Sequence, residues 1–247
     1  MAHHHSPRIP TTGLILAVDP ANGKSYPKSG TSWYDLTNNG NTATLTSVSY
    51  DNQYSGRLVT SNSGTTQSSY IDFIPGNTSG YNPMYYANCS ITVAFRWDST
   101  NTYWERVFDF GRGGNNAATY GYNAVIFSRW SSSGTMTFRT HGSVTQFSND
   151  GFAPLDVGNW QVWTITWTAG SQIFYKNGAS FATYTNAYDL TSHFGAQRGD
   201  EQYHLGKSNW NDSGADISYG PMYIHNRLLN AVEAAEIYSA IKTRYGI

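Results

Sequence analysis

The chain has 247 residues, of which 39% are hydrophobic and 15% are aromatic, enough apolar material to fill the core of one large all-β domain. Only 13% of the residues are charged, about half the usual share for a globular domain, and the net charge is −1. This charge balance excludes the basic surface of a nucleic-acid-binding protein, and no apolar run is long enough to span a bilayer.

Residues 1–7 contain three adjacent histidines, and we interpret them as a purification tag or a disordered N-terminus rather than as a metal site. No linker, composition break or internal repeat divides residues 8–247, so we expect them to form a single domain. Cys89 is the one cysteine and cannot form an internal disulfide. It precedes a strongly strand-like segment, which predicts a buried, inert thiol.

From Gly13 onward, short apolar runs alternate with turn residues, a pattern that predicts many short strands. In chain order, we predict strands at 13–19, 70–74, 91–97, 106–110, 124–130, 135–141, 160–169, 173–176, 179–184, 203–206 and 220–225. Residues 160–169 carry bulky groups on both faces, as expected of an inner strand in a two-layer structure.

Two local signals are stronger than the rest. Asn177–Gly178 separates two alternating runs and supplies the two positive φ values of a type I′ hairpin turn. Residues 230–242 have helical periodicity, and Asn230 with Glu233 three residues later forms a capping box. Together the elements predict an all-β fold, a two-sheet antiparallel jelly-roll sandwich with a short C-terminal helix.

Both ends of the chain resemble a known family. Residues 13–27 read GLILAVDPANGKSYP, residues 30–41 read GTSWYDLTNNGN, and residues 223–237 read YIHNRLLNAVEAAEI. These segments are similar to the opening strand and the closing strand and helix of laminin G-like, concanavalin A-like domains, and the last ten residues resemble versions in tailed-phage virion proteins. The resemblance implies the sandwich fold. It does not imply one function, because this fold hosts lectins, hydrolases, lyases and scaffolds.

The pattern of carboxylates argues against catalysis. Glucan hydrolases that share this fold place two carboxylates two residues apart on one strand, so that both lie on one face. Asp200 and Glu201 are adjacent, and Glu105 and Asp109 have no third carboxylate beside them. A lyase would need an Arg-rich segment beside residues 202–204, which the sequence lacks. A polysaccharide hydrolase or lyase is therefore a distant third hypothesis, and we predict no enzyme.

Calcium is the one cofactor that the sequence suggests. Asp35, Asn39 and Asp216 offer carboxylate and amide oxygens that would link the early loop to the region before the last strand. The alternative is that Asp35 and Asp216 cap turns through bonds to the backbone.

Sugar recognition needs aromatic faces and planar polar groups together. Trp210, flanked by Asn209 and Asp212, and Trp104 and Arg112 in other loop-like segments offer both, and we take these five as the candidate ligand-binding set. Five other tryptophans lie in strand or turn patterns and are predicted to be core residues: Trp33, Trp97, Trp160, Trp163 and Trp167. For Trp104 and Trp210 the core alternative stays open.

We therefore expect a non-catalytic carbohydrate-binding or surface-recognition module of a phage or other virion protein, located on a virion surface or outside a cell. The alternative is a virion structural or decoration domain that makes only protein–protein contacts. The expected partners are a glycan or polysaccharide, or neighbouring virion proteins, and not nucleic acid or a membrane. A homo-oligomer is compatible with either hypothesis.

Overall fold

The computed structural model describes residues 8–73, 88–112, 124–141, 146–185 and 201–247. In chain order its strands are β1 (Leu14–Val18), β2 (Ser32–Trp33), β3 (Ala43–Thr46), β4 (Ser49–Asp51), β5 (Arg57–Thr60), β6 (Tyr70–Phe73), β7 (Asn88–Trp97), β8 (Arg106–Arg112), β9 (Ala124–Arg129), β10 (Thr135–His141), β11 (Gln146–Pro154), β12 (Trp160–Thr168), β13 (Ser171–Lys176), β14 (Ala179–Tyr184), β15 (Glu201–Leu205) and β16 (Ile217–His225). A 3₁₀ turn spans Gln53–Ser55, and helix α1 spans Ala231–Tyr245.

The strands form two antiparallel sheets, which confirms the predicted sandwich. The first sheet has the order β14-β13-β12-β7-β16-β5-β4, with β1 also paired to β16. The second sheet has the order β11-β10-β9-β8-β15-β6-β3-β2. β12 lies between β7 and β13, as the bulky residues on both of its faces predicted.

An apolar core fills the space between the sheets, and its residues are spread along the chain, the first being Ile15 and the last Ile224. The five tryptophans assigned to the core are all buried, each at most 4% exposed: Trp33, Trp97, Trp160, Trp163 and Trp167. Tyr219 joins the sheets directly, because its hydroxyl donates to the carbonyl of Val107 at 2.8 Å. Cys89 is buried as predicted, and desolvation raises the pKa of its thiol, so the thiol stays protonated.

The two strongest local predictions are confirmed. Asn177 and Gly178 have φ values of 51° and 75° and join β13 to β14. The Asn230 side chain accepts from the Glu233 amide while Glu233 bonds back to the amide of Asn230. Helix α1 continues past the predicted end to Tyr245, where Gly246 takes the left-handed conformation that closes many helices.

Several strands were not predicted from the sequence, because they are short or polar: β2, β3, β4, β5 and β11.

In the part of the chain that the structure describes, no helix has both the length and the apolar character needed to cross a membrane.

Candidate functional site

A β-bulge in β8 decides which side chains reach the outer face of the second sheet. Arg106 pairs with Ser128, but Phe108 pairs with Phe127, so Val107 is the additional residue. Val107 and Phe108 therefore both enter the core, and Arg106 and Asp109 both lie on the opposite face. Plain alternation would have separated these two charged residues.

Asp109, Ile126 and Arg139 lie in one row on that outer face. They are direct register neighbours on β8, β9 and β10. The same row continues to His204 on β15 and Asp72 on β6. Ile126 thus forms an apolar floor, 2% exposed, between two charged side chains.

The loop between β15 and β16 closes over Asp109, which is completely buried. Its Oδ2 accepts from Arg106 Nε at 3.1 Å and from the Asn209 amide at 3.0 Å, and its Oδ1 accepts from Asn209 Nδ2 at 2.9 Å. A buried carboxylate is costly unless it is paired and hydrogen-bonded. Asp109 therefore anchors the loop to the sheet.

Arg106 joins this loop to the one that precedes β8. Its Nη2 donates to Asp212 Oδ2 at 2.6 Å, and its Nη1 donates to the Trp104 carbonyl at 2.6 Å. Ser208 Oγ donates to the same Asp212 oxygen at 3.1 Å. Burial raises the pKa of Asp212 above its usual value, and the positive charge of Arg106 opposes that shift.

Gln67 fixes the backbone of the β15–β16 loop. Its Nε2 donates to the carbonyls of Trp210 at 2.7 Å and Asp212 at 2.8 Å, and its Oε1 accepts from the Ser208 amide at 2.8 Å. Three bonds from one side chain define the path of the segment that carries Trp210.

A buried ion pair supports the loop that carries Trp104. Glu105 is completely buried, and its Oε2 accepts from Arg129 Nη1 at 2.7 Å while its Oε1 accepts from the Asn101 amide at 2.5 Å. The Trp104 amide donates to the Ser131 carbonyl at 3.0 Å. Trp104 itself has a φ of 52°, an uncommon conformation for a bulky residue, and such strain often accompanies function.

These elements border an open pocket of about 180 Å³, lined by Trp104, Arg106, Ile126, Arg139, Trp210 and Asp212. Both tryptophans are half-buried. The Arg139 guanidinium lies 4.3 Å from the Trp104 ring centre, and the Arg106 guanidinium lies 5.6 Å from the Trp210 ring centre. Arg139 also binds Asp150 through Nε at 3.0 Å and Nη2 at 2.9 Å.

The structure brings together three of the five residues in the candidate ligand-binding set: Trp104, Trp210 and Asp212. Asn209 lies beneath them, 4% exposed and bonded to Asp109, and does not line the pocket. Arg112 is described only through its backbone, as the last residue of β8, and its side chain lies outside the described residues.

Four residues that line or support the pocket lie outside the five-residue candidate set: Arg106, Ile126, Arg139 and Gln67. A signal for Arg139 was present, because alternation along residues 135–141 places it on the face opposite the core residue Phe138. Gln67 had none, since it lies more than 140 positions from the loop that it supports.

The three residues of the calcium prediction do not converge. Asp35 accepts from the amides of Ala17 at 3.0 Å and Thr37 at 2.9 Å, so it caps the turn beside β1. Asn39 donates from Nδ2 to the Ile15 carbonyl at 3.0 Å in the same turn.

Asp216 precedes the opposite end of β16, where it accepts from the Asn62 amide at 2.5 Å and from Ser99 Oγ at 2.6 Å. The three residues therefore do not fit one calcium site. Nor does any other group of three His, Cys, Asp or Glu side chains among the described residues form a candidate metal site. Calcium binding stays a prediction, and a rise in melting temperature on adding calcium would test it.

The fold is shared with solved carbohydrate-active proteins and toxins. Domain 4 of AbnA, a GH43 extracellular arabinanase from Geobacillus stearothermophilus solved with arabinotriose, is 16% identical, with 91% of this chain and 98% of that chain covered at a TM-score of 0.64. Trypanosoma rangeli sialidase in complex with the inhibitor DANA is 15% identical, and the match covers 93% of this chain and 33% of that chain at a TM-score of 0.65. The binding domain of botulinum neurotoxin serotype G is 16% identical, and the match covers 91% of this chain and 50% of that chain at a TM-score of 0.62.

This chain thus spans about a third of the length of the sialidase that it matches. At these identities the likeness establishes the β-sandwich fold alone. No protein-family model matches the chain, and neither does any curated protein sequence.

Proposed function

We propose that this protein binds a carbohydrate in the pocket between Trp104 and Trp210, as a recognition module and not as an enzyme. The observation that carries the proposal is the convergence of two half-buried tryptophans from separate loops on one pocket with charged hydrogen-bonding groups. Loops on a rigid sheet are a common place for binding residues, because the sheet fixes their relative positions.

The chemistry of the lining suits a sugar ring. A pyranose has an apolar face of C–H groups and a rim of hydroxyls, so it needs an aromatic surface together with donors and acceptors. The tryptophans and Ile126 supply the apolar surface. Arg139 Nη1 and Asp212 Oδ1 have no hydrogen-bond partner among the described residues, so a donor and an acceptor remain for a ligand.

The arabinanase domain solved with arabinotriose supports the proposal, because it is a protein of the same fold that holds an oligosaccharide. The toxin binding domains support a recognition role more generally. The low share of charged residues in the chain suits a virion surface or an extracellular setting, and we include that setting in the proposal.

The arrangement of carboxylates favours binding over hydrolysis. Glycosidases generally place two carboxyl groups on either side of the scissile bond, about 5 to 9.5 Å apart. Asp212 is the one carboxylate among the six lining residues, and Arg106 already binds it. Asp109 is completely buried beneath the loop and holds Asn209, so it is not available as the second group.

The test is a broad glycan array followed by calorimetric titration of each hit with the wild-type chain, Trp210→Ala and Trp104→Ala. We expect each variant to lose roughly thirtyfold in affinity, the effect of a contact of about 2 kcal/mol. Trp130→Ala is the matched control, because Trp130 is exposed but does not line the pocket. Melting temperatures must stay close to the wild-type value for the comparison to count.

Two outcomes would contradict the proposal. Hits that bind the Trp210 and Trp104 variants as tightly as the wild-type chain would place the sugar elsewhere. An array without hits would favour the alternative, in which the aromatic loops contact a neighbouring protein of a virion.

A further inference from the structure

We infer that the pocket prefers neutral sugar units over sugars that carry a carboxylate group. The inference rests on the proposed function and names the class of ligand that the same site takes. A pocket with two arginines at first suggests an anionic ligand, but the contacts of those arginines lead to the opposite conclusion.

The charges in and beneath the pocket do not leave an excess of positive charge. Among the described residues, two guanidinium groups, Arg106 and Arg139, face three carboxylates, Asp109, Asp150 and Asp212. Two positive and three negative charges leave a formal excess of one negative charge. An anionic ligand would enter a site that already carries its own sign, which costs binding free energy.

Each nitrogen of Arg106 already has a protein partner. Its Nε donates to Asp109, its Nη2 to Asp212 and its Nη1 to the Trp104 carbonyl, which uses three of the five N–H donors of the guanidinium. Two of these partners are carboxylates, so the protein already balances the charge of Arg106. An anion at the remaining N–H donors would lie beside the carboxylates of Asp109 and Asp212, which would repel it.

Arg139 is also committed to a carboxylate. Its Nε and Nη2 bind the two oxygens of Asp150, at 3.0 and 2.9 Å, in the fork geometry that arginine uses for carboxylates. The N–H donors of Nη1 and the second N–H of Nη2 remain, and they can donate to the lone pairs of hydroxyls. Asp212 Oδ1 can accept from a second hydroxyl. Adjacent hydroxyls on a neutral ring satisfy both groups, whereas a carboxylate would be repelled by Asp212 and Asp150.

The experiment uses matched probes that differ only in charge. The wild-type chain is titrated with neutral gluco-, galacto- and manno-oligosaccharides, and with counterparts whose C6 hydroxymethyl groups are oxidised to carboxylates. For each backbone that binds, we expect the neutral form to bind about tenfold more tightly or better, from the like-charge repulsion. We also expect the neutral ligand's affinity to change little between low and high salt.

Asp150→Asn tests the cause of the selectivity. This change removes one negative charge and leaves Arg139 with free donors, so the ratio of neutral to carboxylated affinity should fall about tenfold. Asp51→Asn is the matched control, since Asp51 forms a similarly exposed ion pair with Arg57 in the first sheet. We expect the control to leave the ratio unchanged.

The outcomes separate the two proposals. If no neutral or carboxylated oligosaccharide binds, the proposed function fails. If carboxylated forms bind as tightly as neutral ones or more so, and Trp210→Ala still lowers the affinity about thirtyfold, the function stands and the charge selectivity is overturned. An unchanged ratio in Asp150→Asn would equally overturn the role assigned to Arg139 and Asp150.

Discussion

The guanidinium carbon of Arg139 lies 4.3 Å from the centre of the Trp104 ring. Arg139 belongs to β10, whereas Trp104 belongs to the loop before β8. A cation held over an aromatic face is attracted by the ring, and the contact here couples a loop residue to the sheet. Asp150 fixes the guanidinium in turn, so the position of Trp104 depends on a chain of three side chains.

Arg139→Lys should show how much this contact matters. Lysine keeps the charge but loses the planar group that both stacks on Trp104 and binds Asp150 through two nitrogens. We expect affinity for a neutral glycan to fall about tenfold, with a change in the near-UV circular dichroism of tryptophan. Arg227→Lys is the control, because it alters another two-bond arginine–carboxylate pair, with Glu233 beside the helix. Equal losses in both variants would count against the coupling.

Gln67→Met should weaken binding without touching the ligand. Methionine is similar in length but removes the three bonds that hold the loop of Trp210 and Asp212. Because those backbone groups then lose their partners, we expect the free energy of unfolding to fall by about 1–3 kcal/mol. We also expect a weaker affinity for the ligand under conditions in which the variant is fully folded. Titration and urea unfolding measure the two effects separately. The exposed residue Gln53 supplies the control, because its Oε1 accepts one long bond, from Arg57 Nη2 at 3.3 Å; Gln53→Met should leave affinity unchanged and change stability little.

Breaking the Glu105–Arg129 pair should be costly. Arg129→Met leaves the completely buried Glu105 carboxylate without its cation, and we expect the free energy of unfolding to fall by about 3–5 kcal/mol. The double variant Glu105→Gln with Arg129→Met removes both charges and should recover part of that loss. Urea denaturation of the three proteins tests the prediction, and a double variant less stable than Arg129→Met would refute it.

Binding should weaken in acid because of Asp212. Its pKa is raised by burial, so the carboxyl takes up its proton at a higher pH than a free Asp, whose pKa is about 3.9. Protonation removes the negative charge that holds Arg106 and leaves Asp212 a weaker acceptor for a ligand hydroxyl. Affinity should therefore be highest when Asp212 is ionised and fall as pH drops through its raised pKa. Titrations from pH 7 downward check this, and Asp212→Asn should give a weak, flat profile.

The sequence was informative where the physics is local or periodic. Asn177–Gly178 predicts a turn from the backbone preferences of two residues, and the alternating bulk around Trp163 predicts an inner strand from the pleat alone. Trp104 and Trp210 stand out as candidates in the sequence because large aromatic residues in polar loops have few neighbours to bury them. These signals need no knowledge of distant parts of the chain.

The remainder depends on long-range contacts. Gln67 reaches the loop of Trp210 only after the sheets have formed, and nothing near Gln67 in sequence marks it as a support. The calcium prediction treated Asp35 and Asp216 as neighbours, although they lie toward opposite ends of β16. Even the local pattern of β8 was misleading, because an additional residue interrupts its alternation.

That additional residue constrains how the protein can vary. Deleting Val107 would restore plain alternation in β8 and leave Arg106 and Asp109 two residues apart on the same outer face, with one core side chain fewer. If β8 instead kept all its residues but paired without the bulge, Arg106 and Asp109 would lie on opposite faces and one of them would turn into the core. Substitutions that regularise the pairing of β8 should therefore disrupt the pocket more than the loss of one residue there. New ligand preferences would then arise by substitution in the loops of Trp104 and Trp210, while the bulge beneath them is kept.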